Sequence, residues 1–304
     1  MVEGAAGGAG GTEMSSEFLQ FLFSGVTVGV IYGLIALGFT LIYNASHLIN
    51  FAQGEFVMIG GMATVFIFAA GVPLPLAALL AVLLGVAVAV AIYLFGIRPA
   101  RGGTVVGLII VTIGASILLR GLAGILFDRN FHGLPALGSE APLVVMGASL
   151  PSQSLWIFAT TVLVAALLWF FFSRTLWGKA MMAAAHNPLA AQLVGIDTGR
   201  VVLLSFALAG ALGALAGFLI TPLAPTHFQV GIMLGLKGFA AAIVGGLGSG
   251  PGAILGGLFI GLAESMAAGY LSSAYKDAVA FVLILGFLML RPSGLLGLRS
   301  VERV

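Results

Sequence analysis

The 304-residue chain contains no cysteine, and only 7% of its residues are charged. The first absence excludes disulfides, thiolate metal sites, cysteine nucleophiles and thiol redox chemistry by this chain. The second excludes an ordinary soluble domain, in which about a quarter of the residues carry charge. A formal net charge of +2, spread over few ionisable groups, makes no basic surface, so no nucleic-acid partner is expected. The first 16 residues also lack a basic stretch followed by an apolar one. They are rich in glycine and carry Glu3 and Glu13, so residues 1–16 are expected to be a disordered tail and not a secretory signal. What the chain does have is apolar bulk: 61% hydrophobic residues and a mean hydropathy of +1.19. That composition belongs to a polytopic membrane protein of the all-α class, a transmembrane helical bundle.

A helix needs about 20 apolar residues to cross the hydrocarbon core. Runs of that kind lie near 18–43, 54–71, 74–97, 104–127, 154–172, 201–224 and 251–270, with shorter ones at 231–248 and 277–291. Counting both short runs gives nine crossings, and a re-entrant 231–248 gives eight. Basic residues gather in three places: Arg98 and Arg101; Arg174, Lys179 and Arg200; Arg291, Arg299 and Arg303. The positive-inside rule assigns all three to the cytoplasm. The loop 128–153, with Asp128, Arg129, His132 and Glu140, then faces outside as a connector, a lid or a receptor contact; it is too short for a separate catalytic domain.

Residues 173–200 form the one long, polar-flanked connection with a helical pattern. Asn187 before Pro188 reads as an N-cap followed by proline at the first helical position, and Gly195 stands where a helix stop belongs. A helix of about two turns on a basic face has two readings, a docking element for a cytoplasmic partner or an ordinary interfacial helix. Glycines recur at every fourth position at Gly25, Gly29 and Gly33, at Gly213 and Gly217, at Gly252 and Gly256, and at Gly257 and Gly261. In lipid this spacing permits close helix packing or a subunit interface. A weak internal echo links Phe51-Ala52 and Ile59-Gly60-Gly61 with Phe239-Ala240 and Val244-Gly245-Gly246, a hint of two related halves.

A charge at the centre of a span costs about 2.5–3.5 kcal/mol on insertion scales. Four such residues stand out: Glu55 opening the second run, Arg120 in the fourth, Lys237 in 231–248 and Glu264 in 251–270. Their signs allow Glu55 or Glu264 to pair with Lys237 or Arg120. Each is either a strut that fixes helix packing or a group on a solute path. Asn44, Asn50 and Gln53 flank the turn between the first two spans, expected at the inner membrane face, where Gly54 permits a sharp bend; a gating role is one reading of that turn.

The glycine-rich stretch from Gly245 to Gly252 is followed by Ala253 and Ile254 instead of the lysine and hydroxyl residue of a phosphate-binding loop. It reads as a tight cytoplasmic turn, and neither ATP nor another cofactor is expected. His47, His132, His186 and His227 are isolated, without the spacing of a metal site, and no hydrolase or protease motif occurs. The residues point to a transport protein and not to an enzyme.

Several segments together carry a resemblance. Gly33-Leu34-Ile35-Ala36-Leu37-Gly38 with Ile49-Asn50-Phe51-Ala52-Gln53-Gly54-Glu55, then Ala190-Ala191-Gln192-Leu193-Val194-Gly195-Ile196, then Lys237-Gly238-Phe239 through Gly245-Gly246-Leu247-Gly248, and Arg291-Pro292-Ser293-Gly294-Leu295-Leu296-Gly297 are ordered as in the permeases of branched-chain amino acid ABC importers. The chain resembles the shorter, Liv H-type of the two permeases, from about residue 18 to 298. The resemblance implies a single permease domain over 17–304, embedded in the lipid bilayer of the bacterial inner membrane. It implies a second related permease, two cytoplasmic ATP-hydrolysing subunits and an extracytoplasmic solute-binding protein as partners. Within 173–200, Gly178, Lys179, Asn187, Pro188, Gln192, Leu193 and Gly195 correspond to the coupling region that rests on an ATPase subunit. Asn50, Gln53, Glu55, Arg120, Lys237 and Glu264 are the candidates for the path or gate. The small-molecule solute implied is leucine, isoleucine or valine, while similar permeases serve urea, short amides and other small carboxylates. A stand-alone ion-coupled carrier and a membrane scaffold are the competing classes.

Overall fold

The structure, a computed structural model, describes residues 9–100, 102–138, 141–291 and 293–297. Helix α1 (Ala9–Ser46) leads to α2 (Gln53–Ala69), α3 (Leu74–Ala91, prolonged by π-helical Ile92–Ile97), α4 (Val105–Leu126) and α5 (Ser152–Arg174). Two short helices, α6 (Leu176–His186) and α7 (Pro188–Leu193), precede α8 (Thr198–Ile220), α9 (Val230–Gly245), α10 (Gly250–Tyr270) and α11 (Lys276–Leu290). A small antiparallel hairpin, β1 (Leu143–Val145) and β2 (Ala148–Leu150), interrupts the otherwise helical chain.

Among the described residues, seven segments are long and apolar enough to cross a membrane: Ser16–Ser46, Leu74–Ile97, Val105–Leu126, Ser152–Arg174, Thr198–Ile220, Gly250–Tyr270 and Ser273–Leu290. The chain is a multi-pass membrane protein. Two expectations about length change. The run near 54–71 is not a full-length crossing, because α2 has 17 residues, about 25 Å of helix against a core of about 30 Å. The run 277–291 becomes a span once the turn Ser273–Tyr275 is added to it. At the N-terminus, residues 1–8 of the expected tail lie outside the described residues, and α1 already begins at Ala9 within that stretch.

Helices α1 and α8 are largely covered by protein, whereas α4, α5 and α11 leave most of their surface uncovered. Helix α2 is buried from Gln53 to Val65. The glycine spacings make seams inside the chain. Gly25, Gly29 and Gly33 of α1 lie against α10 at Gly257 and Gly261, Gly213 and Gly217 of α8 lie against α2, and Gly252 and Gly256 of α10 lie against the end of α9. A methyl group at Gly217 would collide with the Val57 carbonyl oxygen. Close backbone approach of this kind takes over the role that hydrophobic burial has in water.

At the end of the bundle that carries Arg98, Lys179 and Arg200, the turn from α9 to α10 places Gly246 at φ +101° and Gly248 at φ +96°, a region that glycine occupies without steric cost. Residues 293–297 fold over this turn, with the Leu295 and Leu296 amides donating to the Val244 and Gly245 carbonyls. At the opposite end, loop 128–153 is tied down. The Gln20 side chain donates to the Ser149 carbonyl and accepts from its amide, and His132 and Thr226 exchange backbone hydrogen bonds. His227 stacks on Phe131 there, at 4.4 Å between ring centroids, and burial pulls its imidazole below the usual histidine range.

Gly217→Ala is expected to destabilise the fold by about 1–3 kcal/mol, the usual cost of overpacking, whereas Gly114→Ala, with nothing within 4 Å of the added carbon, is expected to leave it unchanged. Thermal melting in detergent checks the pair. Because the folded state holds the His227 pKa down, the unfolded chain binds the extra proton first as pH falls below about 6.5. Stability is therefore expected to drop with pH from there until the folded pKa is passed, and His227→Phe to show a shallower drop; equal melting curves for the two proteins at every pH would contradict this.

Candidate functional site

The chain does not enter α2 at a membrane face. His47 takes φ +53°, and the following residues run back into the bundle without helix. Gln53 Nε2 donates to the Ala209 carbonyl at 3.1 Å, halfway along α8, and the same side chain lies against Gly38 of α1. Asn50 and Gln53, expected at the inner face, are thus fully buried at the depth of the middle of α8. Non-helical backbone inside a membrane protein needs partners supplied locally. The Phe51 amide donates to Thr112 Oγ1, the Ala52 amide to Asn50 Oδ1, and the Gln53 amide to the Asn50 carbonyl. Gly54 is required where α2 crosses α9, since a side chain there would strike the Gly231 carbonyl and the Gly235 Cα. Asn44 alone stays at the basic end, donating to the Gly248 carbonyl.

The first turn of α2 delivers Glu55, with 1% of its surface exposed. Its Oε1 accepts from Ser116 Oγ at 2.8 Å and pairs with Arg120 Nε at 3.2 Å. Its Oε2 has no hydrogen-bond partner among the described residues, nor have Asn50 Nδ2 and Gln53 Oε1. Beside Glu55 is a cavity of about 160 Å³, walled by Phe39, Phe51, Ile113 and Phe239 and floored by Gly231 and Gly235. Phe51 and Phe239 come within 5.8 Å of each other at its edge.

The other two charges form a separate cluster. Lys237 Nζ lies 2.6 Å from Glu264 Oε1 and 2.6 Å from Asp277 Oδ1, and Tyr32 donates its hydroxyl to Glu264 Oε2 at 2.8 Å. Helices α1, α9, α10 and α11 are joined through these four side chains. Of the pairings the signs allow, the structure makes Glu55 with Arg120 and Glu264 with Lys237. Sequence reasoning missed Ser116, Tyr32, Asp277 and Gly231. Ser116 stands one helical turn before Arg120 and shares its face, and Gly231 and Gly235 repeat at four residues, so both had a signal; Tyr32 had none.

The segment 173–200 holds two helices where one was expected. Thr175 Oγ1 accepts from the Gly178 amide to cap α6, Asn187 Oδ1 accepts from the Ala190 amide to cap α7, and Asp197 caps α8. The chain bends at Asn187, and Pro188 takes the first position of α7. Gly178 is packed against the backbone of Phe171 and Phe172, and Gly195 takes φ +87°. Gln192 donates to Thr198 Oγ1 at 2.9 Å, tying α7 to α8. Met181, Ala184 and Ala191 bury against Val201, while Lys179 is exposed and Leu189, Leu193 and Val194 are 72%, 82% and 77% exposed.

Buried charges at the heart of a multi-pass bundle, with an apolar cavity beside one of the pairs, fit the class of membrane transport proteins. The model of the family described as branched-chain amino acid transport system / permease component matches residues 21–288, and the chain belongs to this family. It is 36% identical to the high-affinity branched-chain amino acid transport system permease protein LivH of Salmonella typhimurium, over 96% of this chain and 100% of that one. It is likewise 36% identical to the permease protein BraD of Pseudomonas aeruginosa, over 95% of this chain and 98% of the relative. A solved structure described as PsaBC from Streptococcus pneumoniae in complex with Fab shares the fold at a TM-score of 0.52 and 13% identity, covering 94% of this chain and 97% of that one. The protein is a transport component and not an enzyme.

Removing one partner of a buried ion pair costs about 3–5 kcal/mol. Lys237→Ala, which leaves the buried Glu264 carboxylate with the Tyr32 hydroxyl alone, is therefore expected to abolish most of the folded yield, while Arg200→Gln, whose pair with Asp197 is exposed at both ends, is expected to keep the fold. Monodisperse protein recovered after size exclusion decides, and equal recovery of the two variants would remove the strut role from Lys237.

Proposed function

We propose that this chain is the transmembrane permease subunit of an ATP-driven importer for leucine, isoleucine and valine in the bacterial inner membrane. Residues 17–304 act as one permease domain, paired with a second related permease. Two cytoplasmic ATPase subunits and an extracytoplasmic binding protein complete the system. The observation that carries the reading is the elbow of α6 and α7. It sits on the basic end of the bundle, is capped at both helices, and turns an apolar face formed by Leu189, Leu193 and Val194 away from the rest of the chain. Exposed apolar side chains on a short, well-anchored helix are suited to a groove on a partner. Gly178, Asn187, Pro188 and Gly195 set the shape of the elbow, Lys179, Gln192 and Leu193 present its contact surface, and the cavity beside Glu55 lies on the solute path with Asn50, Gln53 and Arg120. Lys237 and Glu264 hold the helices that frame that path. The branched-chain solute rests on kinship with LivH and BraD, whose names state that transport.

Gln192→Glu combined with Leu193→Glu is expected to leave the protein inserted and folded but to release the ATPase subunits in detergent, because charge on the contact face opposes burial. Co-purification at the parent level would remove the coupling role. In vesicles holding the chain and its neighbouring gene products, leucine uptake is expected to require ATP; uptake of urea instead of leucine would change the solute, and gradient-driven uptake by this chain alone would make it a secondary carrier.

A further inference from the structure

We infer that the cavity beside Glu55 is a transit subsite for the head group of a zwitterionic α-amino acid, which deepens the importer reading above and rests on it. The inference starts from valences left open. Glu55 is buried, and its Oε1 is occupied by Ser116 and Arg120, yet its Oε2 has no partner. Arg120 engages through Nε only, with Glu55 and with the Ser116 carbonyl, and its side chain is 25% exposed. Its two terminal nitrogens make no hydrogen bond among the described residues. A buried carboxylate with one idle oxygen is costly unless something answers it. Here a free anionic acceptor and free cationic donors sit on the two partners of one ion pair, and both groups line the same cavity.

An α-amino acid carries its ammonium and carboxylate on a single carbon, so one molecule presents both charges at neighbouring positions. The ammonium would answer the Glu55 carboxylate, and the carboxylate would take the Arg120 guanidinium, which suits a planar, two-toothed anion. The rest of the cavity is apolar: Phe39, Phe51, Ile113 and Phe239 accept a hydrocarbon side chain and offer no further charge. Its volume of about 160 Å³ is well below the roughly 300–1,000 Å³ of pockets for drug-sized ligands, which limits the occupant to a small solute. Gly231 packs directly against this carboxylate, since a Cβ there would stand 2.7 Å from Glu55 Oε2 and push it aside.

The same geometry ranks the other solutes of comparable size. Urea or a short amide has no charge for either partner, and a simple carboxylate answers Arg120 while bringing a second anion beside Glu55. Specificity of this kind comes as much from the unanswered charge in the wrong complex as from the contacts in the right one.

The chain has no cysteine of its own, so Ile113→Cys introduces its single thiol at the cavity wall. In the complete transporter in lipid nanodiscs, the alkylation rate of this chain would be followed with L-leucine, 4-methylpentanoate, 3-methylbutylamine or urea present, and leucine uptake measured on the same preparation. Leucine alone is expected to protect the thiol. Glu55→Gln is expected to raise the protecting concentration by about ten- to a hundredfold, the loss that follows removal of one hydrogen bond to a charged group. Gly231→Ala, which keeps both charges, is expected to weaken protection as well. Equal protection by all four compounds would overturn the inference, leaving a cavity without head-group recognition. Intact leucine uptake with no protection would also overturn it while keeping the importer reading. Protection without leucine uptake would do the reverse, keeping the subsite and removing the importer.

Discussion

The requirement that every backbone amide inside the membrane find a partner within the protein governs the middle of this molecule. The stretch from His47 to Ala52 is non-helical and runs from the exposed His47 into the bundle, where Leu48, Asn50 and Ala52 are buried, so the amides at its inner end must be answered on the spot. Thr112 and the side chain and carbonyl of Asn50 do this, while Gln53 reaches across to the Ala209 carbonyl. Once the turn is placed there, other features follow. Helix α2 starts late and is short. Helix α9 crosses it so closely that Gly54, Gly231 and Gly235 cannot carry side chains. The first turn of α2, with Glu55 on it, ends up at the centre of the protein instead of at its surface.

The two buried charge clusters differ in how completely they are satisfied, and that difference separates packing from chemistry. Around Lys237, the ammonium has two carboxylates, and Glu264 also accepts the Tyr32 hydroxyl. Such a network fixes four helices relative to one another, and none of the buried side-chain atoms of Tyr32, Lys237 and Glu264 is left without a partner. Glu55, which lines the cavity, has one carboxylate oxygen without a partner, and one buried amide atom each of nearby Asn50 and Gln53 is likewise unpartnered among the described residues. Lone-pair accounting, more than charge or depth, marks the second cluster as the one open to a ligand.

Much of the outline was legible in the chain because it depends on patterns along one dimension. Hydropathy gave the helices, the caps at Asn187 and the stop at Gly195 followed from local backbone chemistry, and the glycine spacing at Gly25, Gly29 and Gly33 gave a packing stripe. Hydropathy measures how apolar a run is and not how deep it begins, so the run near 54–71 looked like any other span and the turn at Asn50 was placed at the surface. The start of α6 was hidden because its N-cap, Thr175, is a hydroxyl residue among many. Pairing depends on helix adjacency, so the signs of Glu55, Arg120, Lys237 and Glu264 restricted the options without choosing among them. Tyr32 lies 232 residues from its partner Glu264, and nothing local in the sequence joins them.

Two long helices connect the exposed elbow with the buried cavity. Helix α8 is tied to the elbow by Gln192 and by the packing of Val201 on Met181 and Ala191; halfway along, it holds Gln53 through the Ala209 carbonyl, and near its far end the Leu219 carbonyl accepts from Gln153 of α5. Helix α1 follows the same route, with Ala45 against the elbow cluster, Gly38 against Gln53, and Gln20 on the hairpin at the opposite end. Both helices grip the α2 turn at Gln53, two residues before Glu55. Close-packed helices with glycine at their contacts transmit small displacements because the interior has little free space to absorb them. On the proposed coupling role, a shift of the elbow relative to the rest of the bundle would reach Gln53 from two sides, two residues before the carboxylate with an idle oxygen.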